Sequence, residues 1–75
     1  MIKVTIGNNL KRTNEVFEKD TTLREALESQ DIDYTSGVIN LDGSTLSPGD
    51  LDKSFDDFGI TDKCYLLKVV KADNA

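Results

Sequence analysis

Apolar and polar residues alternate at the start of the chain, where Ile2, Val4 and Ile6 are separated by Lys3 and Thr5. A period of two marks a strand with one buried face. Gly7-Asn8-Asn9 follows, and because these residue types tolerate positive φ, the chain is expected to turn back as a hairpin. The returning run, Leu10 to Glu18, carries two phases: one would bury Leu10 and Val16, the other Phe17. Phe17 is expected inward, next to the start of a helix. From Thr22 the period changes. Leu23, Ala26 and Leu27 fall at i, i+3, i+4 and make one apolar stripe, with Arg24, Glu25 and Glu28 toward water. Thr22 and Glu25 have capping-box spacing, so the pattern predicts a helix over Thr22–Gln30. A helix this short is marginal alone, and a sheet must cover its stripe.

Beyond it, Ile32 is expected under the helix end and Asp31 to Gly37 forms a polar loop. Val38 to Leu41 reads as a third strand, with Ile39 and Leu41 on one face and Val38 and Asn40 on the other. Asp42-Gly43 is a two-residue turn signal, leading into a short return over Ser44-Thr45-Leu46. Ser47-Pro48-Gly49-Asp50 matches a type II turn, with positive φ at the glycine. In Ser54 to Ile60, Ser54 can cap, Asp57 sits at the third helical position and Gly59 can take a left-handed stop. One or two helical turns result, with Phe55 and Phe58 inward. The last strand, Cys64 to Val70, is apolar on both faces except for Lys68. The lysine assigns Cys64, Leu66, Lys68 and Val70 to the outer face, and Tyr65, Leu67 and Val69 to the core. Lys71 to Ala75 is expected to fray. No repeat or linker interrupts residues 1–75, so one domain is expected.

Composition narrows the function classes. A chain of 75 residues with 37% hydrophobic and 31% charged residues suits a small soluble globule. A net charge of −5, with lysines and arginines scattered and only Lys11-Arg12 adjacent, opposes binding to nucleic acid or to an anionic membrane. No apolar run approaches the ~20 residues of a membrane span. With no leader-like start and a lone cysteine, a cytoplasmic compartment is expected.

Catalytic chemistry finds little to work with. The absence of histidine removes the usual base of a serine or cysteine triad and the commonest metal ligand. Cys64 reads as a small residue on the outer sheet face rather than a reactive thiol. Asp50, Asp52, Asp56, Asp57 and Asp62 crowd one stretch without the spacing of a calcium loop; turn and cap roles account for Asp50 and Asp57. No enzyme activity, metal or cofactor is expected.

The order of elements, together with Phe17 to Leu23 leading into the helix, Leu41 to Leu46 at the turn and Phe55 to Ile60 before the last strand, resembles the ubiquitin-like β-grasp family. The resemblance implies an α+β fold, a mixed four- to five-stranded sheet packed on one helix with the first and last strands adjacent. It resembles in particular the small bacterial ubiquitin-like proteins that lack a Gly-Gly tail. The ubiquitin-type and sulfur-carrier members end in Gly-Gly, a pair found nowhere in this chain. A binding module is therefore expected before a sulfur or modifier carrier activated at its C-terminus. In the β-grasp layout the third and last strands are neighbours, which would gather Val38, Asn40, Leu66, Lys68 and Val70 on the outer face as a docking surface for a protein partner. The chain itself is expected to be a monomer or a weak homo-oligomer.

Overall fold

The computed structural model describes residues 1–8, 10–35 and 37–69. Five strands form one sheet: β1 (Ile2–Asn8), β2 (Arg12–Phe17), β3 (Val38–Leu41), β4 (Ser44–Thr45) and β5 (Lys63–Val69). Their order across the sheet is β2-β1-β5-β3-β4. All pairings are antiparallel except the central one, where β1 and β5 run parallel with Val4 opposite Cys64 and Ile6 opposite Leu66. One helix, α1 (Leu23–Ser29), covers one face. This α+β layout is compatible with a β-grasp.

The alternation in β1 is realised as read: Ile2, Val4 and Ile6 are buried and Lys3 is exposed. The hairpin to β2 closes on the Asn8 side chain, whose Oδ1 accepts from the backbone N–H groups of Leu10 and Lys11. A side chain at Gly7 would collide with the Lys11 carbonyl, which accounts for the glycine there. β2 takes the phase that turns Phe17 inward, stacked on Phe55 with ring centroids 6.0 Å apart, and leaves Val16 half-exposed.

α1 starts on the expected capping box, Thr22 Oγ1 accepting from Glu25 N–H at 3.1 Å and Glu25 Oε1 accepting from Thr22 N–H at 3.2 Å. Its stripe of Leu23, Ala26 and Leu27 is fully buried. The helix is also fastened from the side: Leu23 N–H donates to the Lys53 carbonyl at 3.0 Å, and Arg24 pairs with Asp52 at 2.6 Å. Asp52 ends, and Lys53 follows, a 3-10 turn, Pro48–Asp52, which replaces the expected type II turn. Gly49 keeps negative φ because Ser47 and Asp50 bond reciprocally, as at a helix start, and Leu51 is drawn into the core. The Asp42-Gly43 turn has φ of 51° and 86°, as a type I′ hairpin requires. Ser54 and Asp57 bond reciprocally before the 3-10 turn Asp56–Phe58, and Gly59 stops it at φ 74°. Phe55 is fully buried and Phe58 half-buried.

β5 has the opposite phase to the one expected. Cys64 and Leu66 are buried, while Tyr65 and Val69 are exposed. The register explains this: in a parallel pair, residues opposite each other share a face, so Val4 and Ile6 carry Cys64 and Leu66 into the core. Lys68 does lie on the core-facing side, opposite buried Ile39, but at the end of the strand. Its stem passes along Gly37, and a long side chain at a strand end can carry its charge clear of the core. Val70 lies outside the described residues.

Leu66→Ala is expected to destabilise the fold by about 2–5 kcal/mol, and Leu66→Asp to prevent folding, because an unpaired carboxylate would enter the core. Tyr65→Ala should change stability by less than about 1 kcal/mol. Thermal unfolding followed by circular dichroism checks the order; equal losses at 65 and 66 would contradict the phase of β5.

Candidate interaction face on the outer sheet

The side of the sheet opposite α1 is built by the residues that alternate with the core. β1 contributes Lys3 and Thr5, β2 Asn14 and Val16, β5 Lys63, Tyr65, Leu67 and Val69, and β3 Val38 and Asn40. Tyr65 is 57% exposed, Val16 53% and Val69 36%, so apolar surface is open to water here. Val69 stands directly opposite Val38, and Leu67 opposite Asn40. Of the expected docking residues, Val38 and Asn40 are on this face; Leu66 is core, Lys68 is on the core-facing side, and Val70 is outside the described residues. Leu67 and Val69 stand beside Val38 and Asn40 in place of the others. Sequence reasoning missed Tyr65, Leu67 and Val69 because both faces of β5 are apolar; the buried partner strand is the signal that separates them.

The upper part of the face is concave. A groove of about 600 Å³ is lined by Thr5, Val16 and Tyr65 together with two lysines, Lys3 and Lys63, and two carboxylates, Glu15 and Asp42. Lys3 and Lys63 are cross-strand partners, so two positive charges sit together on a chain that is acidic overall. The Thr5 hydroxyl donates to Asn14 Oδ1 at 2.9 Å along its floor. Asp42 holds the Tyr65 backbone from the side, its Oδ1 accepting from Tyr65 N–H and its own N–H donating to the Tyr65 carbonyl, both at 2.8 Å. The β3–β4 turn thereby fixes the strand that presents the tyrosine. Asn40 Oδ1 is shielded from solvent with no hydrogen-bond donor among the described residues.

Cys64 is buried beneath this face, not on it as expected. Burial, with the Asp42 charge adding to it, pushes its thiol up to about 12. A thiol held neutral is a poor nucleophile at physiological pH. Elsewhere, the Tyr34 hydroxyl donates to Glu28 Oε2 at 2.7 Å, which raises its pKa. Three of the five crowded aspartates have structural roles: Asp50 and Asp57 cap, and Asp52 holds Arg24. Among the described residues no three metal-capable side chains converge, and no helix is long and apolar enough to cross a membrane. No protein-family model, curated protein or solved structure matches this chain.

Cys64 is expected to resist alkylation at pH 8 in the folded protein and to react once the chain is denatured. The unfolded thiol, with its ordinary value of 9.0, releases its proton before the folded one near 12, so the native state binds more protons between those values. The stability this group contributes is complete below about pH 9 and declines as pH rises toward 12. Relative to Cys64→Ala, the wild type should lose stability only across that window; rapid labelling of the native protein would contradict the burial.

Proposed function

We propose that this chain is a non-enzymatic, ubiquitin-like interaction module that docks a protein partner on its outer sheet face. The observation that carries the reading is the apolar run of exposed Tyr65, half-buried Leu67 and exposed Val69, continued by Val38 across the strand pair and flanked by Lys3 and Lys63. Adjacent apolar side chains held on a stiff sheet supply contact area without the cost of ordering a backbone segment, and the lysines add charge selection. The surface fits a partner segment that offers a large apolar side chain to the groove and a carboxylate to the lysine pair. The ubiquitin-like assignment is supported by the strand order, by the parallel pairing of first and last strands and by the helix α1 over the opposite face.

Peptides selected on the wild type from a random display library should combine a large apolar residue with a nearby acidic one. Their binding should shift the amide resonances of Thr5, Tyr65, Leu67 and Val69, and weaken by about tenfold or more on Tyr65→Ala or Val69→Asp while the fold is kept. Ligands that perturb only α1, or bind both variants as tightly as the wild type, would remove this face from the function.

A further inference from the structure

We infer that the free edge of β2 is a self-association site, at which two copies of this chain pair antiparallel about a two-fold axis at Asn14. β2 is the last strand of the sheet on its side, and among the described residues no strand pairs with its outward edge. The hydrogen-bond pattern shows which groups are open. Asn8 N–H donates to the Lys11 carbonyl at 2.9 Å, so Asn8 and Lys11 form a hydrogen-bonded pair. With the observed register, Ile6–Thr13 and Val4–Glu15 are pairs of the same kind. Arg12, Asn14 and Val16 therefore turn their own N–H and C=O groups away from β1. Among the described residues these groups have no backbone partner, and they form a row of donors and acceptors without proline or bulge, the arrangement that templates another strand.

The charges along this strand specify the occupant. Lys11 precedes the strand and Arg12 begins it, Glu15 lies within it and Glu18 follows it. Among the described residues, none of these four side chains makes an ion pair within the chain. An antiparallel copy brings the basic end of one strand against the acidic end of the other, twice by symmetry. With the axis at Asn14, Arg12 and Val16 of one chain exchange backbone hydrogen bonds with Val16 and Arg12 of the other, and Asn14 with its own copy. Arg12 then reaches diagonally to Glu18 on the outer face, and Lys11 to Glu15 on the core-facing side, both within range of long side chains. Moving the axis to Glu15 would oppose Glu15 to its own copy, a like-charge pair. Moving it to Thr13 would leave Val16 unpaired.

The contact is one strand wide and falls below the standard interface size, so the dimer should be reversible and concentration-dependent. Sedimentation of the full chain at ~1 mM in low salt should show dimer that dissociates on dilution and at high salt. Asn14→Pro should keep the fold, since that N–H takes no part in the β1 ladder, and should be monomeric. Arg12→Glu or Glu18→Arg alone should weaken association about three- to tenfold, and the two together in one chain should restore it. A monomer under all these conditions would overturn the proposal. So would a dimer that ignores both Asn14→Pro and the single charge reversals, because it would use another surface.

Discussion

Ile6 and Leu66 face each other across the central parallel pair, both fully buried, and share one cluster with Leu23 and Leu27 of the helix. β1 and β5 come from opposite ends of the chain, and only their pairing makes a surface wide enough to cover a helix of seven residues. The other elements extend this contact. Phe17 and Phe55 close one side of the core, Leu51 enters from the turn beside α1, and Ile39 and Leu41 arrive on β3. The Lys53 carbonyl and Asp52 tie the first turn of the helix to the 3-10 turn beside it.

That pairing decides the chemistry of the opposite face. A strand places successive side chains on alternate sides, so Cys64 and Leu66 inside require Tyr65, Leu67 and Val69 outside. The same constraint removes the thiol from solvent. The lysines at 3 and 63 come together because their strands are in register, although they are far apart along the chain. An acidic protein thus carries two adjacent lysines beside apolar surface, with Glu15 and Asp42 lining the same groove.

The outer face and the β2 edge differ in physical character. The face offers side chains on a closed ladder, and its selectivity would come from shape and charge. The edge offers backbone groups, and its selectivity would come from the order of charges along one strand. Val16 belongs to both: it is exposed on the face, and its backbone points to the edge. The two surfaces are adjacent, so a partner on the groove and a second copy on the edge would extend the same sheet surface.

Local signals in the chain determined much of the architecture. The Thr22–Glu25 box, the Leu23-Ala26-Leu27 stripe, the Asp42-Gly43 turn and the Gly59 stop each have a short-range cause, and each takes its expected form. The strand β1 could be phased because lysine and threonine separate its aliphatic residues. β5 could not: Tyr65, Leu66 and Leu67 are apolar in succession, and either phase satisfies its own residues. Lys68 pointed to the wrong face because a long side chain at a strand end can escape to water from either side. The turn at Pro48 was equally ambiguous, since proline serves both a type II turn and a 3-10 start, and burial of Leu51 selected the second. Hydrophobic periodicity alone determined that a sheet must cover this helix. Which face of the last strand meets the helix was settled only when β5 paired with β1, because parity is a property of two strands in register and not of either one.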